Sequence, residues 1–315
     1  MDEAQIKKPV EVKKNSHLLY RLNRDKFLLL LALPTFLYLI IFRVTPLFGL
    51  YMAFLEYKPA LGFINSRFVG FDQFVKLFTG RLFLPAFRNQ VVLGVQNFMW
   101  NFPAPIILTL VINEVVSTRA KRLIQTTVYL PYFISIPVVC GLTIMFLNPT
   151  NGIINTVLGM FGVEPIYFMA KESMYRPIFI ITEIWKGVGF GTVIYFAALA
   201  GIDPQLYESA VIDGANKWHE IIHITIPGLL PTIVVLFILR AGGIFNVSFE
   251  KTIMLQNTMN LSISEVLSTM IWKQAFERKM FSFSVAAGIF DSILAGCMVY
   301  VSNYLSRSFT DHNLF

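Results

Sequence analysis

DPQLYESAVIDGANKWHEIIHITIP, residues 203–227, is a polar, helix-forming stretch lodged between two long apolar runs. Asp203 suits an N-cap and Pro204 the first helical position. A helix then runs through Leu206, Tyr207, Glu208, Ala210 and Val211, and Gly214 is placed to end it in a left-handed turn. A second helix is expected from Asn216 to Ile226, meeting Pro227 where apolar sequence resumes. Two short helices around a glycine elbow make a stiff foot. A membrane domain needs such a foot if force must reach it from a soluble motor.

The flanking sequence supports a membrane setting. The 315 residues are 55% hydrophobic and 14% charged, with a mean hydropathy of +0.62; soluble domains carry about 25% charged residues. Crossing a bilayer takes about 20 apolar residues. Six runs qualify, at about 27–49, 89–112, 124–147, 177–201, 228–248 and 281–305. The expected fold is an all-α polytopic membrane protein with six transmembrane helices and a helical cytoplasmic coupling loop at 203–227. Residues 1–26 form a basic tail carrying Lys7, Lys8, Lys13, Lys14, Arg21, Arg24 and Lys26. They lack the apolar core of a cleavable signal, so the first span is read as a retained anchor. Residues 27–306 form the transmembrane domain and 307–315 a short C-terminal tail.

Lys and Arg resist translocation, which places the basic tail in the cytoplasm. The link carrying Arg119, Lys121 and Arg122 then also falls inside, as do both termini. Arg278 and Lys279 argue the other way, but charge near the first span dominates. The net charge of +7 reflects this sorting rather than nucleic-acid binding. Loops 50–85, 148–176 and 249–280 fall outside. The first is aromatic and compact, and the second opens on a turn, Asn148-Pro149-Thr150-Asn151-Gly152. The third carries Ile263, Val266, Leu267, Met270 and Ile271 at the spacing of one amphipathic helix. Cys140 and Cys297 both lie in apolar spans and read as buried free thiols. Gly187 and Gly191 form a small-xxx-small pair suited to close helix packing.

The foot carries a resemblance. Glu208-Ser209-Ala210, then Gly214 after three residues, then Ile224-Thr225-Ile226-Pro227 after nine more, resembles the EAA loop of ABC importer permeases. Ser209 replaces the usual central Ala and Ile226 the usual Leu. From about Phe27 to Phe315 the chain looks like the polysaccharide and oligosaccharide permeases of Gram-positive bacteria. The runs 44–54, 183–191 and 242–250 carry that likeness. The resemblance implies a multi-pass subunit of the bacterial cytoplasmic membrane that imports oligosaccharide or polysaccharide fragments by alternating access. It also implies the partners: a second homologous permease, two cytoplasmic ATPases that bind the ATP and Mg, and an extracellular solute-binding lipoprotein. This chain itself is expected to hold no cofactor and to catalyse nothing. It has no Gly-x-x-x-x-Gly-Lys-Ser/Thr phosphate loop. Coupling to the ATPases falls to Glu208, Ala210, Asp213, Gly214, Ala215, Ile226 and Pro227.

Two other readings compete. His219-Glu220-Ile221-Ile222-His223 is a literal H-E-x-x-H, which on a helix presents two imidazoles as a zinc protease would, with Glu220 as base. No third ligand is specified, so no metal site is assigned. The second concerns charges inside spans, which are costly and face a partner or a wet cavity. Glu183 and Lys186 can pair at i, i+3, and Arg240 can pair with Asp291 or Glu183. Alternatively Glu183, Trp185, Lys186, Arg240, Asn246 and Asp291 line the cargo path. A proton-coupled transporter would use Glu183 or Asp291 as carrier, but has no need of a docking foot.

Overall fold

The computed structural model describes residues 24–309, with side chains through Tyr304; most of the basic tail and residues 310–315 lie outside the described residues. The chain groups into two units, up to Met52 and from Ala53 onward. In the first, helix α1 (Lys26–Leu39) runs into a π-helical turn, Ile40–Val44, and a 3-10 segment, Thr45–Phe54. Together they make a 29-residue span. The π turn has a local cause. Pro46 has no N–H to donate, and the wider turn lets Thr45 bond back to the Ile40 carbonyl instead.

The second unit opens on a two-stranded antiparallel hairpin, β1 (Leu55–Glu56) with β2 (Arg67–Phe68), and a short helix α2 (Asp72–Thr79). Helices α3 (Phe83–Asn101) and α4 (Pro103–Asn113) make one 31-residue span. It starts earlier than the apolar run at 89–112, because Phe83 and Ala86 are buried ahead of the exposed Arg88 that interrupts the hydropathy. The third span is not one rod. Helix α5 (Thr118–Tyr129) with its 3-10 end (Leu130–Phe133), and α6 (Ile136–Phe146), meet at a bend of 102°. Pro131 and Pro137 flank the break, and Ile134 and Ser135 adopt extended backbone there.

After α7 (Ile153–Met160) the long α8 (Glu172–Leu199) crosses back. Helices α9 (Pro204–Ile212) and α10 (Lys217–Glu220) form the foot. The foot's second helix does not end at Pro227. A π turn, Ile221–Thr225, carries it into α11 (Ile226–Gly242), giving 26 continuous residues. The device of the first span is repeated: Ile226 bonds back to the Ile221 carbonyl just before a proline.

The amphipathic pattern in loop 249–280 is also divided. Helix α12 (Phe249–Leu255) is followed by α13 (Leu261–Ser264), which takes Ile263, and by α14 (Leu267–Phe276). The break falls at Glu265 and Val266, both extended. Helix α15 (Phe281–Phe309) is the last span. Two buried clusters tie this loop down. Leu93, Cys140, Tyr175, Phe179, Leu255 and Val266 form one; Leu77, Phe83, Ala86, Leu267, Met270 and Phe283 form the other.

Close helix approach falls on one of the expected pair, Gly191, and on two glycines outside it. A Cβ on Gly191 would press on the Pro105 ring, but one on Gly187 meets nothing within 4 Å. Gly189, between them, abuts the Val128 carbonyl, and Gly94 abuts the Ile244 carbonyl. Cys140 is buried as expected, but Cys297 is exposed on α15.

Candidate functional site

The foot forms from local signals. The Asp203 side chain accepts from the Gln205 N–H at 2.9 Å, capping α9. Its other end closes as a Schellman turn: Ala215 N–H bonds the Ala210 carbonyl at 2.9 Å and Gly214 N–H that of Val211 at 3.1 Å. Gly214 sits at φ +79°, a region costly for residues with a Cβ. Asn216 then caps α10 through the His219 N–H at 3.0 Å. Two contacts hold the first helix of the foot and the residue leading into it to the start of the next span. The Tyr207 hydroxyl lies 3.0 Å from Thr225 Oγ1, and Ile202 packs so closely on Gly228 that a Cβ there would collide. Glu208 and Asp213 are exposed, while Ala210, Ala215 and Ile226 are half-buried. Leu206, Val211, Ile212 and Trp218 stay open to solvent, Ile212 at 85%. An acidic residue among exposed apolar ones is a surface fit for docking.

The H-E-x-x-H residues are otherwise engaged. His219 and His223 stack at 5.8 Å between ring centroids. Their Nδ1 atoms lie 2.8 Å from Asn216 Oδ1 and 3.1 Å from the His219 carbonyl. Glu220, the would-be base, is buried and takes the Lys217 ammonium at 2.7 Å.

Inside the spans the structure redistributes the expected charge pairs. Glu183 does not pair with Lys186. Its partner is Lys251 of α12, 2.7 Å away. That lysine also donates to the Phe179 carbonyl at 2.8 Å and sits 4.4 Å over the Phe179 ring. Burial pushes the Lys251 ammonium below the ordinary lysine range, and the Glu183 carboxylate pulls it back up. Lys186 reaches the Tyr132 carbonyl at 2.8 Å and lies 5.0 Å over its ring, which stacks on Phe190.

Asp291 does not meet Arg240 either; it accepts from Gln90 Nε2 at 2.9 Å. Gln90 also donates to the Phe245 carbonyl and accepts from the Leu267 N–H, so one buried amide joins α3, α14, α15 and the turn after α11. Arg240 makes no ion pair among the described residues. It lines a cavity of about 180 Å³ with Glu183, Asn246, Asn97, Asn101, Phe98 and Phe102. Three of the six expected path residues therefore meet there. Trp185, Lys186 and Asp291 do not.

Asn97 and Asn101 went unnoticed in the sequence. Their i, i+4 spacing in an apolar run, with Phe98 and Phe102 beside them, is the signal that could have found them; Asn101 donates to Asn97 at 2.6 Å. Lys251 gave no signal, since it sits in a loop where a lysine normally faces water.

Comparison with known proteins agrees with this architecture. Residues 101–312 match the family described as "Binding-protein-dependent transport system inner membrane component". The chain is 37% identical to Protein LplB of Bacillus subtilis (strain 168), over 93% of this chain and 92% of that protein. It is 36% identical to the polygalacturonan/rhamnogalacturonan transport system permease protein YteP of the same organism, over 96% and 94%. Its structure resembles a chain of a bacterial alginate ABC transporter crystallised with a periplasmic protein bound to alginate pentasaccharide. That match has a TM-score of 0.85 at 39% identity, covering 94% of this chain and 99% of that one. The chain belongs to the binding-protein-dependent inner-membrane transport family, as a multi-pass permease subunit of an ABC importer.

Proposed function

We propose that this chain is one of two permease subunits in an ATP-driven importer of oligosaccharide or polysaccharide fragments. A homologous permease completes the membrane path. Two cytoplasmic ATPases bind ATP and Mg and dock on the foot, and an extracellular lipoprotein delivers the cargo. Both termini face the cytoplasm. Closure of the ATPases pushes α9, and the continuous helix from Lys217 to Gly242 carries that displacement toward Arg240 and Asn246. The cavity they line turns from one side of the membrane to the other.

The observation that carries this reading is the capped, glycine-ended foot on a rigid extension of the fifth span. Glu208 is exposed on α9, free to meet a basic residue of the motor. The amides, guanidinium and phenyl rings of the 180 Å³ cavity are the groups that bind hydroxyls, carboxylates and sugar faces. The relatives support a glycan cargo, since YteP is named for polygalacturonan and rhamnogalacturonan.

The test is Glu208→Ala and Gly214→Val in the reconstituted complex. Glu208→Ala should leave the assembled complex intact and abolish cargo-stimulated ATP hydrolysis. Gly214→Val strains the elbow by about 1–2 kcal/mol and should do the same, with Gly214→Asn milder. Normal stimulated hydrolysis in both Glu208→Ala and Gly214→Val would refute coupling through the foot.

A further inference from the structure

A larger cavity lies apart from the one lined by Arg240. It measures about 750 Å³ and lies between α3 and α8, bounded by Gln96, Trp100, Glu172, Arg176, Ile180 and Ile184 among others. That volume falls in the range of about 300–1,000 Å³ typical of small-molecule sites. On the proposed topology it opens outward, since Glu172 and Arg176 sit in the first turns of α8 on the extracellular side. Trp100 marks its deep end, next along α3 to Asn101 of the inner cavity.

Its polar groups are poised but incompletely used. Arg176 donates from Nη2 to Asn89 Oδ1 at 3.2 Å. Its Nε is buried with no hydrogen-bond partner, as is Gln96 Oε1 on the facing helix. Arg176 has no ion pair among the described residues, and the neighbouring charge is Arg88, which repels it. The one carboxylate at the mouth, Glu172, is taken up by the Ser262 hydroxyl. Trp100 is 62% exposed. A guanidinium with no ion pair among the described residues, a buried amide oxygen with no hydrogen-bond partner and an open indole thus bound one space. A lipid chain would satisfy neither polar atom. A carboxylate accepts from guanidinium edges, a hydroxyl donates to an amide oxygen, and an indole stacks on a pyranose face.

We infer that this cavity is an outer receiving chamber for an acidic sugar unit, upstream of the inner cavity. Arg176 reads the carboxylate, Gln96 accepts a hydroxyl, and Trp100 is the stacking platform. The inference rests on the glycan-importer reading and adds charge selectivity at a site distinct from the Arg240 cavity.

The experiment is uptake by the complete reconstituted complex of oligogalacturonates and alginate oligosaccharides, each paired with its carboxyl-reduced neutral counterpart. Arg176→Gln should raise KM for the acidic glycans about tenfold or more, the loss of one charge-assisted contact. It should leave kcat and the neutral counterparts unchanged. Arg176→Lys should recover part of the loss, and Trp100→Leu should weaken both classes alike. Equal loss for acidic and neutral glycans in Arg176→Gln, a fall tracking the amount of assembled complex, or no change would each overturn the chamber. Failure of the unsubstituted complex to take up any glycan of the panel would instead overturn the glycan-importer reading.

Discussion

At the scale of single residues, the Glu183–Lys251 pair makes a directional prediction. The Lys251 side chain is 3% exposed and that of Glu183 37%. Removing the carboxylate strands a buried ammonium, whereas removing the lysine leaves a carboxylate that still borders the cavity. Glu183→Gln should therefore destabilise the solubilised complex by about 3–5 kcal/mol, and Lys251→Met by less, read as thermal unfolding midpoints. Burial already lowers the Lys251 pKa and the carboxylate opposes that. In Glu183→Gln the folded lysine titrates lower still, so the unfolded state binds more protons than the folded one. Stability of that variant should rise with pH from neutrality toward the ordinary lysine range near ~10. A pH-independent defect would show that Lys251 is not the stranded group. Sequence disclosed that Glu183 needs a partner, but not which one. Lys186 was close along the helix, while Lys251 lies 68 residues away.

At the scale of elements, packing chose between three glycines on one helix that look interchangeable in sequence. A Cβ on Gly189 would run into the Val128 carbonyl of α5, while one on Gly187 meets open space. Gly189→Ala should lower the unfolding midpoint and the yield of assembled complex. Gly187→Ala should leave both within error, and comparable losses from the two would contradict this packing. The foot, by contrast, was legible residue by residue. Its N-caps, its Schellman turn and its positive-φ glycine depend on neighbours within six positions, so no distant contact could override them. The second helix of the foot continued past Pro227 because a π turn, in which Ile226 bonds back to the Ile221 carbonyl, accommodates a proline that has no N–H to donate.

At the scale of the whole molecule, the proposed function requires the foot to face the cytoplasm. Ile64 in the loop after the first span is 95% exposed, and Val116 in the link after the second is 99% exposed. With Cys140 and Cys297 replaced by Ser, a cysteine at Ile64 should react with an impermeant thiol reagent in intact cells. One at Val116 should react only after the cells are opened. Ser66, two residues from Ile64, would be a poor reporter, since it is buried and its hydroxyl bonds the Gly62 carbonyl at 2.6 Å. Labelling of Val116 in intact cells would invert the membrane orientation and take the foot away from any cytoplasmic motor.

The sequence by itself determined the membrane class, most of the spans and the foot. Hydropathy sums over about 20 neighbouring residues and helix caps over a handful, so both are written locally. Tertiary structure alone decided the broken third span, the divided loop helices, the partners of Glu183 and Asp291, and which polar residues share a cavity. Those depend on which faces of distant helices meet. In a membrane helix nearly every face is apolar, so the pattern that would point a side chain inward in a soluble protein is missing.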